Sequence, residues 1–141
     1  MSSHYKGLAH ISIQTRDIEK SISFYTEQLD FEVTYRTVVN PDGPRNGFFP
    51  LQYVLLERGS CAIEMLQPDD IDSVKTGIEG IVGHFAIEVD DLDAVMKQLS
   101  GAGLLAADAR PALFPNLYKG SKATHITGPS GEIIELFEYT R

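Results

Sequence analysis

Two histidines and two glutamates recur at matched places in this chain. His10 stands in GLAHISIQ and His84 in IVGHFAIEV, 74 positions later; Glu64 stands in AIEML and Glu135 in IIELF, 71 positions later. Imidazoles and carboxylates together are the donors that hold one borderline divalent ion such as Zn2+, Ni2+, Co2+, Mn2+ or Fe2+. A carboxylate beside such an ion is also a general base, able to take a proton from one atom and return it to another. Singly, each residue has a plainer reading: a strand histidine is ordinarily hydrogen-bonded in a core, and a strand glutamate ordinarily solvated. The metal reading rests on the four together, two of each type at equivalent points of a repeat.

The elements that must position them follow the same repeat, which has to be found before a fold is assigned. A shift of 74 lays Ile13 on Ile87, Asp17 on Asp91, Ile18 on Leu92 and Glu19 on Asp93. The three-residue difference between the offsets 74 and 71 is the size of a loop deletion. Gly7–Gln14 alternates as a strand, with Ile11 and Ile13 on one face and His10, Ser12 and Gln14 on the other. Asp17 is a candidate N-cap for a helix whose stripe is Ile18, Ile22, Tyr25 and Leu29. Strands are expected at Phe31–Val38, Leu51–Glu57 and Ser60–Leu66, with a Pro- and Gly-dense loop at Asn40–Pro50. Gln67–Gly80 joins the halves. The second half repeats the order: strand Val82–Val89, then a helix with Leu92, Val95, Met96 and Leu99 on one stripe, stopped at Gly101. Weaker strands follow at Leu104–Arg110 and Lys122–Thr127, and the turn GPSG leads into a last strand, Glu132–Tyr139.

Each half is therefore βαβββ, and the fold class is α+β. The two modules, about 7–66 and about 82–139, are expected to pack as one domain spanning the chain. By strand parity His10, Glu64, His84 and Glu135 all point to the helix-free side of their sheets. If the first and last strands of each half are neighbours, each half supplies one imidazole and one carboxylate to a shared concavity.

Composition narrows the function. The chain has 141 residues, the length of one domain. Its hydrophobic content of 43% allows a packed core, and its net charge of −8 opposes binding to nucleic acid or anionic lipid. One cysteine, Cys61, forbids an intrachain disulfide, and MSSHYKG lacks a signal-peptide h-region. No apolar run approaches the ~18 residues of a membrane span. The expectation is a cytoplasmic protein acting on a small molecule. Cys61 shares the parity of Ile63 and Met65 and reads as a buried filler. For His125, in a strand of unassigned parity, a hydrogen-bonded structural role is expected. GPSG reads as a hairpin turn rather than a phosphate loop, and Asp69, Asp70 and Asp72 as a solvated loop.

The paired modules, with HIS and HFA near their starts and AIEML and IIELF at their ends, resemble the vicinal oxygen chelate (glyoxalase/bleomycin resistance/dioxygenase) superfamily. FYTEQLDF and GPSGEIIELFE are similar to its two most recognisable strings, and the resemblance runs from Leu8 to Glu138. It implies an open, partly closed β-barrel-like sheet and a homodimer, sometimes with swapped modules. The set His10, Glu64, His84 and Glu135 is similar to the metal quartet of glyoxalase I, a lactoylglutathione lyase. That likeness implies one divalent ion, catalytic roles for Glu135 as base and for Glu64, and glutathione as cosubstrate. The chemistry is a proton transfer through an enediolate. Methylmalonyl-CoA epimerase, an isomerase of related chemistry, is the alternative, and a metal-free drug-sequestering protein of the same fold a further one. Glu64 and the chain length speak against a ring-cleaving dioxygenase, and the absence of a basic ion-handling loop against fosfomycin thiol transfer. Two positions for substrate come from the same likeness: Gln14, where glyoxalase I grips glutathione with arginine, and Lys119, near a conjugate carboxylate. This chain also has GPSG where the family has DPDG, and Asp30 where the helix commonly ends in glycine.

Overall fold

The computed structural model describes residues 4, 8–43, 50–74 and 84–140. The chain divides into two compact units, Met1–Lys75 and Thr76–Arg141. The first runs β1 (Ile11–Gln14), α1 (Ile18–Gln28), β2 (Glu32–Val39), β3 (Leu51–Arg58) and β4 (Cys61–Pro68), followed by a single 3-10 turn, Ile71–Ser73. The second runs β5 (Phe85–Glu88), α2 (Leu92–Gly101), β6 (Ala112–Phe114), a 3-10 turn at Leu117–Lys119, β7 (Ser121–Thr127) and β8 (Ile133–Tyr139). Each unit is βαβββ, as the repeat predicts. The sheet orders are β1-β4-β3-β2 and β5-β8-β7-β6. In each, first and last strands are parallel neighbours and the remaining pairs antiparallel, giving an open four-stranded mixed sheet. Neither sheet closes into a barrel.

One face of each sheet is covered by its own helix. In the first unit Ile18 and Tyr25 of α1 are buried together with Val54, Leu56, Ile63 and Met65. In the second, Leu92, Met96 and Leu99 of α2 are buried, as are Ile126, Ile134 and Leu136. The helix starts are built alike. Asp17 accepts from the Lys20 N–H and Asp91 from the Ala94 N–H, each at 3.1 Å. Next to them, the Ile18 N–H donates to Gln67 Oε1 and the Leu92 N–H to Glu138 Oε1, each at 2.7 Å. Glu138 lies 71 positions after Gln67, the same offset that relates the two glutamates. A helix begins with backbone donors that lack intrahelical partners, and here the last strand of each unit provides an acceptor for one of them.

Several expectations need correction. His10 and His84 stand immediately before β1 and β5, not within them, because pairing with β4 and β8 begins at Ile11 and Phe85. Gly7, Val82, the last six residues of Gln67–Gly80 (75–80) and most of Asn40–Pro50 (44–49) lie outside the described residues; the part of the joining segment that is described begins with β4 continuing to Pro68. Gly101 is the last residue of α2 rather than its terminator. The stop is at Gly103, whose φ of +79° admits glycine readily. There the Leu104 N–H reaches the Leu99 carbonyl and the Gly103 N–H the Ser100 carbonyl, a Schellman closure. Leu104–Arg110 forms no strand; the third-rank strand is the short β6, paired with Ser121–Ala123. Asp30, where the family's helix commonly ends in glycine, adopts the left-handed conformation at φ +63°, and Arg58 pairs with its carboxylate at 3.1 Å.

Candidate metal centre

In the first unit the parallel register pairs Ser12 with Glu64, so His10, two residues before Ser12, shares a face with that glutamate. His10 Nε2 lies 3.0 Å from Glu64 Oε1. The other carboxylate oxygen is held by the Tyr53 hydroxyl, which donates to Glu64 Oε2 at 2.6 Å. Tyr53 reaches it from β3, where Leu55 is the residue directly opposite Glu64. Burial, and then the hydrogen bond to Glu64, push the Tyr53 phenol up to about 12, so it stays a donor at any physiological pH.

The second unit repeats the pair and adds to it. Ala86 pairs with Glu135, and His84 Nε2 lies 2.8 Å from Glu135 Oε2. Directly across on β7, paired with Glu135, is His125, whose Nε2 is 3.5 Å from the same oxygen. The two imidazoles meet edge to face at 87°, with ring centroids 5.6 Å apart. The histidine side chains are about half exposed, at 49% and 55%, while that of Glu135 is only 14% exposed, so the oxygen sits at the floor and the rings at the rim. Ligand atoms of His84, His125 and Glu135 all lie within 4.8 Å of one another.

His125 and Tyr53 escape the sequence reading, although a signal for each exists. The GPSG turn closes with the Gly131 N–H on the Gly128 carbonyl and the Gly128 N–H on the Glu132 carbonyl, at 3.0 and 2.8 Å. Once that hairpin is accepted, Thr127 faces Ile133 and His125 must face Glu135. Likewise the two-residue connection at Gly59–Ser60 sets Arg58 against Cys61, which puts Tyr53 on the face of Glu64. Of the other positions, Gln14 is exposed at the end of β1 and Lys119 is exposed with φ +64°. Among the described residues neither bonds to a histidine–glutamate pair of its own unit. Cys61 is half-buried rather than fully buried, and burial pushes its thiol up, which keeps it protonated and inert near neutrality.

Two open βαβββ sheets, each with an imidazole and a carboxylate together on its helix-free face, define a duplicated scaffold with candidate metal donors in both copies. The model of the Glyoxalase/Bleomycin resistance protein/Dioxygenase superfamily matches residues 7–136, and the chain belongs to that superfamily. It is 31% identical over 134 residues to the uncharacterized protein YwbC of Bacillus subtilis (strain 168), covering 94% of this chain and 98% of that one. It is 28% identical over 120 residues to the mitochondrial methylmalonyl-CoA epimerase of Mus musculus, covering 76% of this chain and 64% of the epimerase. A glyoxalase I mutant from Zea mays shares the fold, with a TM-score of 0.69 at 20% identity, over 93% of this chain and 47% of that one. No helix among the described residues is long and apolar enough to cross a membrane.

Proposed function

We propose that this protein is a divalent-metal-dependent lyase or isomerase that moves a proton on a small substrate carrying oxygens on neighbouring carbons, in the manner of glyoxalase I. The observation that carries the reading is the repeated contact of imidazole with carboxylate, 3.0 Å for His10–Glu64 and 2.8 Å for His84–Glu135. The donors fit the ion. Imidazole nitrogens and carboxylate oxygens suit Zn2+, Ni2+, Co2+, Mn2+ or Fe2+, and half-exposed rings over less exposed carboxylates leave an ion a way in. Bound there, the ion supplies Lewis acidity that stabilises a developing enediolate by several kcal/mol.

The protein's own residues do the rest. His10, Glu64, His84 and Glu135 are the proposed metal donors. Glu135 is the proposed base: it takes the C–H proton and hands it to the adjoining carbon. Glu64, tied by Tyr53, is held in one orientation and serves as its counterpart. Gln14 and Lys119 are the proposed substrate contacts, with glutathione as a possible cosubstrate, and the working form is a cytoplasmic homodimer. The sequence likeness to an epimerase favours a second reading, proton exchange at the carbon next to the thioester of an acyl-CoA.

Metal analysis of purified protein tests the class, with a bound divalent ion expected. The reactions are separated by ultraviolet assay with methylglyoxal and glutathione against solvent-deuterium exchange into acyl-CoA. Glu135→Gln should abolish turnover in whichever assay is positive. Full activity in that variant removes Glu135 as the base.

A further inference from the structure

We infer that His125 is a metal donor, so that the second unit carries a three-donor site of its own, His84–His125–Glu135, with His84 just before β5, His125 on β7 and Glu135 on β8. The inference rests on the proposed metal dependence and extends it beyond the repeated quartet.

The repeat explains four of the five residues but not this one. Opposite the carboxylate, the first unit has Leu55 and the second has His125. The duplication leaves an apolar residue at that place in one copy and a ligand-type residue in the other, so His125 is an addition to the shared pattern. Its direction is fixed by the register: residues directly opposite each other on an antiparallel pair project from the same face. The two spacings to the carboxylate oxygen suit one ion. Donors about 2.1 Å from a metal lie about 3.0 Å apart when mutually at right angles and about 3.4 Å apart in a tetrahedron. The two imidazole nitrogens stand 2.8 and 3.5 Å from Glu135 Oε2. His125 and Glu135 are held opposite each other by strand pairing, and His84 directly precedes the strand that pairs on the other side of β8. Two imidazoles and one carboxylate oxygen leave further positions on the ion open for a substrate.

Co2+ titration of the full chain, followed by visible absorption and a competing chelator, tests the assignment in wild type, His125→Ala, His125→Gln, and a His10→Ala/Glu64→Ala background. Far-ultraviolet circular dichroism and melting of the metal-free forms check that each variant folds. The first-unit double variant should still bind Co2+. Adding His125→Ala to it should weaken binding about 100-fold or more, beyond the ~10–100-fold typical of losing a residue that only orients a ligand. The single His125 variants should alter the visible band, because the number of nitrogens on the metal changes. Affinity and spectrum unchanged by His125→Ala in both backgrounds would overturn the role of His125 while leaving the metal enzyme intact. A wild type that takes up no Co2+ removes the metal reading and this inference with it.

Discussion

Replacing Tyr53 by phenylalanine removes one oxygen from the first unit and tests whether Glu64 must be held to bind metal well. The phenol occupies Glu64 Oε2 at 2.6 Å and leaves Oε1 toward His10 Nε2. A hydrogen bond to a charged group contributes about 1.5–3 kcal/mol, and for a pair that water reaches in part the lower end applies. Without the phenol the carboxylate samples other rotamers in the metal-free protein, and its ordering is then paid at the moment of binding. At about 1.4 kcal/mol per decade, roughly 1.5 kcal/mol is a tenfold weaker affinity, the low end of the ~10–100-fold seen when a ligand's hydrogen-bond partner is lost. Chelator competition on wild type and Tyr53→Phe reads the ratio directly, with circular dichroism to confirm the fold. The opposite sign is physically available. If the phenol mainly draws charge away from Glu64, the variant binds metal more tightly. An unchanged or tightened affinity would refute the orienting role.

Three further outcomes follow from particular contacts. In protein stripped of metal, Tyr53 should ionise late, near pH 12 rather than 10, read in an absorbance titration at alkaline pH as the difference between wild type and Tyr53→Phe. Because the folded value lies above the ordinary one, Tyr53 stabilises in full below about pH 10 and loses this contribution as the pH climbs toward 12; Glu64→Gln should move the late step down. Glu138→Ala leaves the Leu92 N–H without its 2.7 Å acceptor and should cost about 1–2 kcal/mol, a few degrees in the melting midpoint, with Glu138→Gln keeping most of it. Gly128→Ala drives its new methyl group into the Glu132 carboxyl, which must swing away from the Ser130 N–H it accepts from at 2.8 Å. The cost should be about 1 kcal/mol, and smaller when Glu132→Ala is already present, as a double-mutant cycle reads.

What could be read from the chain, and what could not, divides by the range of the interaction that decides it. Strand parity needs only neighbouring residues, so the opposition of Glu64 to Ile63 and Met65, and of Glu135 to Ile134 and Leu136, was legible and agrees with the burial of the four apolar residues. So was Asp17 as a cap. The end of α2 was not, because two glycines compete and the choice depends on which one lets Leu104 reach back to Leu99. Leu104–Arg110 misled for a different reason. It is built of Leu, Ala, Asp and Arg, without a β-branched residue, and a strand exists only where a partner strand accepts it; here that happens at Ala112–Phe114.

The same division explains why the duplication shows more clearly in chemistry than in identity. A glutamate or glutamine at the far end of β4 and β8 closes the start of α1 and α2, and the glutamate three residues earlier meets the histidine that precedes β1 and β5. The two tasks fall on opposite faces of one strand, because odd spacing in a strand reverses direction. Core positions exchange Ile, Leu, Met and Val freely at similar volume, so the repeat fades there. A cap and a candidate metal donor allow few substitutes, and these positions hold the signal. His125 lies outside that rule: no repeat predicts it, and the pairing of β7 with β8 alone brings it to Glu135.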